Sequence, residues 1–268
     1  MAISCFGICC KSTVSEDTHE HPLQLITNSK APYKCDGCKE LGYGSSYRCI
    51  EFEKNCRPGY QLHKECTSAL ANSATMHSLF FKNVHFKFHK QPPEHVGSCV
   101  ACGKDVQGFR YHYSSPKKNA FLGFFLPSKQ LVLHPCCFRL PSNRTNQGLN
   151  ASNEGVVNLE LKEKAVSNCL ICQRKKISKK IEGWAYVSTC GEYCYHVKCV
   201  KDLVDKRLEQ QIDGTNTSTL QLEVRQNALQ VGTEVIKVVL KLIIEAIFGD
   251  PLSAIVTFVL YFFTDRIG

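Results

Sequence analysis

Residues 35–66, CDGCKELGYGSSYRCIEFEKNCRPGYQLHKEC, open on Cys35-Asp36-Gly37-Cys38 and close on His63-Lys64-Glu65-Cys66. Two residues between cysteines allow a tight turn that aims both sulfurs at one ion about 2.3 Å away. A His and a Cys three residues apart share one face where a helix begins, so they supply the other two ligands. The same two halves recur in order. They are Cys99-Val100-Ala101-Cys102 with His134-Pro135-Cys136-Cys137, and Cys169-Leu170-Ile171-Cys172 with His196-Val197-Lys198-Cys199. One such pair arises by accident, but three ordered copies of both halves predict three zinc modules.

Working outward, an alternating apolar stretch precedes each copy: HPLQLIT (21–27), VHFKFHK (84–90) and VVNLELK (156–162). Each predicts a strand. Aromatic and β-branched residues lie between the two halves of each copy: SSYR before Cys49, then GFRYHY, then GWAYVSTC. A copy of roughly 50–60 residues gains only about 3–5 kcal/mol from a hydrophobic core. A structural zinc contributes about 10–16 kcal/mol. The fold expected is therefore a set of small zinc-stabilised α+β modules, with short antiparallel strands plus a short helix, in which the metal decides folding. The expected divisions are a cysteine-containing tail (1–18), module 1 (19–80), module 2 (81–141), a polar linker (142–155), module 3 (156–211) and an apolar helical region (216–268).

Seventeen cysteines and ten histidines among 268 residues dominate the composition. Hydrophobic residues at 43% with charged residues at 21% exclude a fully disordered chain. No GxGxxG or GxxxxGK[ST] run is present, which speaks against a nucleotide enzyme. The N-terminal apolar stretch is short, broken by Cys5, Cys9 and Cys10, and followed by Glu16, Asp17 and Glu20. It does not read as a secretory signal, so the expectation is a reducing, cytoplasmic setting, not secretion, with nuclear or peripheral-membrane placement as alternatives. The same three cysteines form a candidate palmitoylation cluster. The net charge of +9 is eroded by the charge of about −1 on each filled Cys3His site. Without a base-reading Cys2His2 finger or a long basic stripe, nucleic acid is disfavoured as a partner. The basic run RKKISKK (174–180) reads as a solvated turn in preference to a lipid contact or nuclear signal.

The first copy holds an ordered string of eight candidate ligands: His21, Cys35, Cys38, Cys49, Cys56, His63, Cys66 and His77. This string resembles the C1 domain, the diacylglycerol and phorbol-ester type of zinc finger. It is closer still to the divergent C1-like repeats of the large plant Cys/His-rich family. The motifs HPL, GSSYRC, LHKEC, GKDVxGFxYH, LHPCC and WxYVSTCGxYCYHVxCVKDL carry the likeness across about residues 19–205. The resemblance implies three tandem divergent C1-like repeats, zinc as cofactor and a role in intracellular signalling in plants. It also implies interleaved ligand sets. Cys35, Cys38, His63 and Cys66 would hold one ion, and His21, Cys49, Cys56 and His77 another, with His19 as an alternative to His21.

The later copies depart from that pattern. Tyr113 stands where the family has a first-site cysteine, leaving Cys99, Cys102, His134 and Cys137 as the complete set. No histidine precedes Cys169 in the third copy, leaving Cys169, Cys172, His196 and Cys199. About four zinc ions are thus expected, two in the first copy and one in each of the others. Cys190 and Cys194 read as free thiols or remnants of a lost site, and Cys136 as a small apolar residue. His85, His89, His95 and His112 read as strand or loop histidines.

From Leu220 the chain becomes apolar, with Glu223, Gln230, Glu234, Lys237, Lys241 and Glu245 on one helical stripe. Gly249-Asp250-Pro251 breaks this helix before LSAIVTFVLYFF (252–263). Val235–Phe248 and Leu252–Phe263 would measure about 21 Å and about 18 Å, short of the roughly 30 Å bilayer core. The expectation is a C-terminal apolar helical hairpin that packs on the modules or joins two copies, in preference to lying in a membrane surface. KDLVDKRLEQQ (201–211) reads as an exposed helix closing the third copy.

Zinc with four protein ligands has no open position for water, so the expected protein is no enzyme but an interaction or signalling module with protein partners. A diacylglycerol-responsive, membrane-associated protein is the alternative. SSYR stands where lipid-binding C1 domains carry Gln-Gly, which weighs against that version. A RING-like ubiquitin ligase is weaker still, because position 202 is Asp and no further Cys-x2-Cys pair follows Cys199.

Overall fold

The computed structural model describes residues 19, 21–27, 29, 31–51, 59–72, 76–92, 97–114, 130–145, 157–212 and 233–248. They build one plan three times. The first unit runs β1 (Leu23–Ile26), the hairpin β2 (Tyr33–Lys34) and β3 (Leu41–Gly42), β4 (Ser46–Cys49), β5 (Gln61–Leu62) and α1 (Lys64–Ala71). The second runs β6 (Met76–Ser78), β7 (Phe81–His89), β8 (Arg110–Ser114), β9 (Gln130–Leu133) and α2 (Pro135–Phe138). The third runs β10 (Asn143–Thr145), β11 (Asn158–Lys162), β12 (Ala185–Ser188), β13 (Cys194–His196) and α3 (Val197–Ile212), and α4 (Thr233–Phe248) follows. The sheets are antiparallel, in the orders β1-β4-β5, β6-β7-β8-β9 and β10-β11-β12-β13. All three alternating stretches are strands: β1, β7 and β11. In β7 the period of two is visible in burial, with Phe86 and Phe88 inside and His85 and Lys87 outside.

Two boundaries fall differently from the sequence reading. β6 pairs with β7 through His77↔His85, so the second sheet begins before residue 81. Asn143–Thr145, within the stretch expected to be linker, forms β10 and pairs with β11. A polar tripeptide suffices there because an edge strand needs only one backbone ladder and one covered face.

The units share a continuous core instead of standing apart. The turn between the paired cysteines is the contact point. The carbonyl of Gly37 accepts the Phe109 N–H at 2.9 Å, and that of Ala101 accepts the Trp184 N–H at 2.9 Å. In both places the cysteine turn of one unit holds the start of the middle strand of the next. A Cβ on Gly108 would collide with the Gly37 carbonyl oxygen, and one on Gly37 would enter the Phe109 ring. Trp184, 2% exposed, also meets the edge of Phe80 at 4.9 Å.

A buried charge cluster crosses all three units. Glu40 lies 3.2 Å from Lys201 Nζ and 3.7 Å from His134 Nε2. Lys104 pairs with Asp205, and with Asp202 at 3.6 Å. Lys201 and Asp205 are 3% and 6% exposed. Burial alone would raise the Glu40 carboxyl, but Lys201, then His134 and Lys104, hold it below the usual carboxylate range.

α3 is not the exposed helix expected of its polar composition. Val197, Val200, Val204 and Leu208 are buried, because α4 packs along it and brings Ile236, Val239, Leu240, Ile243 and Ile244 into the shared core. Lys201 Nζ stands 5.5 Å from the Phe248 ring. α4 therefore packs on the modules, and among the described residues no helix is long and apolar enough to cross a membrane. The second arm of the expected hairpin, the palmitoylation cluster and residues 146–156 lie outside the described residues.

Gly108→Ala should lower unfolding free energy by about 1–3 kcal/mol in denaturant titration, because overpacking meets a backbone oxygen that cannot rotate away. Glu40→Gln strands a buried ammonium and should cost about 3–5 kcal/mol, whereas Glu40→Met with Lys201→Met should recover most of it. Since the folded carboxyl is depressed, the Glu40 contribution should be present at neutral pH and fade as pH falls below about 4.

Candidate metal centres

Each cysteine pair folds into the same loop. Cys35 N–H donates to Glu40 O at 3.0 Å and Lys39 N–H to Cys35 O at 3.0 Å. The matching bonds run Cys99 to Lys104 and Gly103 to Cys99, then Cys169 to Arg174 and Gln173 to Cys169. The residue after the second cysteine is left-handed in every copy: Lys39 at φ 66°, Gly103 at 66° and Gln173 at 56°. Only the middle one is glycine, so the metal loop imposes this conformation on side chains that resist it. The ligand histidines stand where the last strand turns into a helix, with His63 and His134 as extended N-cap residues. That places His and Cys three apart on one face.

The donor atoms converge in three groups: Cys35, Cys38, His63 and Cys66; Cys99, Cys102, His134 and Cys137; Cys169, Cys172, His196 and Cys199. Within each group they lie within 4.8 Å of one another. A tetrahedral ion with Zn–S of about 2.3 Å would separate its sulfurs by about 3.8 Å. Cys35 Sγ and Cys66 Sγ are 3.7 Å apart, and Cys38 Sγ, Cys102 Sγ and Cys172 Sγ lie 3.3, 3.4 and 3.4 Å from their histidine Nδ1. The other ring nitrogen is engaged identically. Nε2 of His63, His134 and His196 donates to the carbonyls of Leu41, Asp105 and Lys175 at 3.2, 3.3 and 3.2 Å. Each acceptor is the third residue after the second cysteine, so the loop selects the tautomer that leaves Nδ1 for metal.

Electrostatics also call for a cation. In the third group, hydrogen bonding from Cys199, opposed by burial, drives the Cys169 thiol down to about 3, and that same bond together with burial pushes Cys199 far up. Cys35 and Cys99 are likewise held low by their sister thiols against burial, while burial first and then neighbouring thiols push Cys66 up. Three clustered thiols cannot all ionise unaided; a dication makes that state favourable. Soft sulfur donors with one imidazole, and no carboxylate among them, suit zinc. These are three zinc sites.

A fourth group brings together His19, His21 and Cys49. The sequence offered His19 and His21 as alternatives, and the structure places both here. The signal was a spacing of two ahead of β1: His19 and His21 precede Leu23 at intervals of two, and Leu23 pairs with Cys49. The His19 ring also stacks on Tyr60 at 4.2 Å. Cys56 lies outside the described residues. His77 is not in the group; it sits in β6 with its ring 4.3 Å from His85, because its cross-strand register belongs to the second sheet.

In the second unit Tyr113 occupies the position of Cys49 and packs in an aromatic cluster on the same sheet, while Lys82 and Val84 stand at the positions of His19 and His21. Phe86 meets Phe81, Tyr113 and Phe138 at 5.9, 6.2 and 5.6 Å, and Tyr111 stacks on Phe138 at 4.1 Å. In the third, Cys190 is exposed with Sγ 3.1 Å from Ser188 Oγ, and buried Cys194 donates to Ser167 O at 3.6 Å. Cys136 is no inert packing residue. It reaches into the first unit, 3.8 Å from Glu65 Oε2, and its thiol is lowered chiefly by hydrogen bonds from Cys38 and Cys66. Burial first, then the Cys136 charge, raises Glu65 to about 7. Cys136 sits next to Cys137, and only the packing of α1 against α2 reveals its role.

Residues 17–67 match the family model described as C1 domain. No curated protein and no solved structure matches the chain. The first unit is a C1-type zinc finger, and the two that follow repeat its Cys3His centre.

Metal counting by native mass spectrometry should find three tightly held zincs and a fourth that Cys49→Ser removes without loss of the others. Cys35→Ser should lose one Cys3His zinc and unfold the first unit, seen as lost circular dichroism. Mild acid should release metal as thiolates and imidazoles protonate.

Proposed function

We propose that this chain is a non-catalytic, zinc-scaffolded interaction module acting in intracellular signalling. The observation that supports this reading is the closure of the three Cys3His centres. Four protein donors converge on each, and the histidine's second nitrogen is tied to backbone. Such zinc lacks the open coordination position that Lewis-acid or hydroxide chemistry requires. The metals then serve to hold loops and the surfaces between them. A protein partner is preferred to diacylglycerol because Ser45-Ser46-Tyr47-Arg48 stands at the strand tip where a lipid-binding C1 domain carries Gln-Gly.

Cobalt substitution tests the closure. The Co²⁺ protein should show the intense visible bands of tetrahedral coordination by three sulfurs and one nitrogen, and these should not move on adding azide or imidazole. A shift with either added ligand would mean an open position and would sink the non-catalytic reading.

A further inference from the structure

The cysteine turn and helix start of the first unit form a seat that the second unit fills. Phe109 lies against Gly37 and Cys136 reaches Glu65, while Glu40 lies 3.7 Å from His134 of the second unit and pairs with Lys201 of the third. The same positions of the second unit are filled by the third. Trp184 N–H bonds Ala101 O, Ile177 lies over Gly103, and Lys104 meets acidic partners, Asp205 and Asp202. In both interfaces the incoming segment is a glycine followed by an aromatic, Gly108-Phe109 and Gly183-Trp184.

In the third unit these positions are Ile171, Arg174 and Lys198. Here they border an open groove of about 260 Å³ between the cysteine turn and α3, with Cys172, Ile177, Asp202, Leu203 and Lys206 among the residues of its wall. Among the described residues no backbone N–H bonds the Ile171 carbonyl. Ile171 is half-buried and Arg174 exposed. The wall is apolar where the aromatic stood in the other two seats, and its rim is basic at Arg174 and Lys206, since Lys198 is already paired with Asp202 at 3.0 Å.

The geometry points to this groove as the docking site for a further module of the same kind on a partner chain, presenting a glycine-aromatic pair at the start of its middle strand beside an acidic side chain. Charge follows the second seat, in which Lys104 meets acidic side chains of the unit seated on it, so basic Arg174 at the same position calls for an acidic group. A second copy of this chain does not supply the occupant. Its first unit carries Gly44-Ser45 at the corresponding place, with no aromatic, and Ala69 and Asn72 where the third unit has Asp202 and Asp205. Ile171 is larger than Gly37 or Ala101, so the incoming ring would lie across its side chain, extending the apolar contact. This inference rests on the interaction-module reading and names its partner.

The test uses the zinc-loaded full chain and a labelled hairpin peptide copying residues 182–196 with serine at both cysteines. That peptide carries Glu182, Gly183 and Trp184 on a strand pair seen in this fold. Fluorescence anisotropy should show saturable binding, weakened about tenfold or more by Ile171→Asp and by Arg174→Glu and absent for a peptide with Trp replaced by Ser. Arg174 is exposed and Ile171 half-buried, so each variant is compared only after its metal content and circular dichroism are shown to match the wild type. No saturable binding, or binding indifferent to both variants, would overturn the proposal. So would a wild-type dimer in sedimentation that Ile171→Asp dissolves, which makes a second copy the occupant. A tenfold affinity gain on deleting 249–268 would assign the groove to the chain's own tail and equally overturn it. The cobalt spectrum is independent of these outcomes, so the docking site can fail while the closed zinc centres stand.

Discussion

Three thiols and an imidazole gathered within 4.8 Å form a repulsive and poorly ionisable group until a dication joins them, and everything else in this fold hangs on that closure. The ion joins a loop to a helix start that are 25 or more residues apart in the first two units. Each tie also sets a conformation beyond the ligands themselves. Lys39 and Gln173 adopt left-handed backbone that neither would choose, which turns the carbonyls of Leu41 and Lys175 towards the histidine rings. The same loop presents the carbonyl of the residue before the second cysteine outward. Gly37 and Ala101 use it to seat the next unit. Metal binding is thereby coupled to module stacking through one short turn.

Ligand identity was legible because coordination chemistry writes itself as spacing. Cys-x2-Cys and His-x2-Cys need only a turn and one helical step, both local events, and all twelve of those donors converge in the structure. The leading strands were legible for a similar reason, since alternation at β1, β7 and β11 is read without knowing any partner. What could not be read was placed by distant segments. The Cys136 thiol points across an interface, His77 follows a cross-strand register into the second sheet, and α3 turns its valines towards α4. None of these has a period or a spacing. Each depends on which surface arrives next to it.

The comparison among the three units shows how a metal site can be lost without loss of the fold. In the first unit, Cys49 at the end of β4 faces two histidines. In the second the same place holds Tyr113, which packs on Phe86, and Phe86 in turn meets Phe81 and Phe138, so ring packing stands where coordination does in the first. In the third, Ser188 stands opposite Leu159 in the ladder. The site on the cysteine turn is retained in every unit while the other is replaced twice. The difference follows from position: the retained site shapes the turn that makes inter-unit contacts, whereas the replaced one closes only its own sheet.

The buried charges sharpen that coupling. A shared apolar core tolerates sliding of one unit over another, because hydrophobic contact has little directional preference. Glu40, Lys201, Lys104 and Asp205 do not, since Lys201 and Asp205 are buried, Glu40 and Lys104 are partly so, and each slip would leave a charge without its partner. Their positions in sequence explain how they report on metal. Glu40 and Lys104 lie two residues after the second cysteine of their loops, and Lys201 lies two residues after the ligand Cys199. Opening any one zinc site would move at least one charge out of register with the others. Placing ion pairs on the same turns that bind the ions ties the contacts of each unit to the metal of its neighbour, so the loss of one zinc weakens the interface beside it.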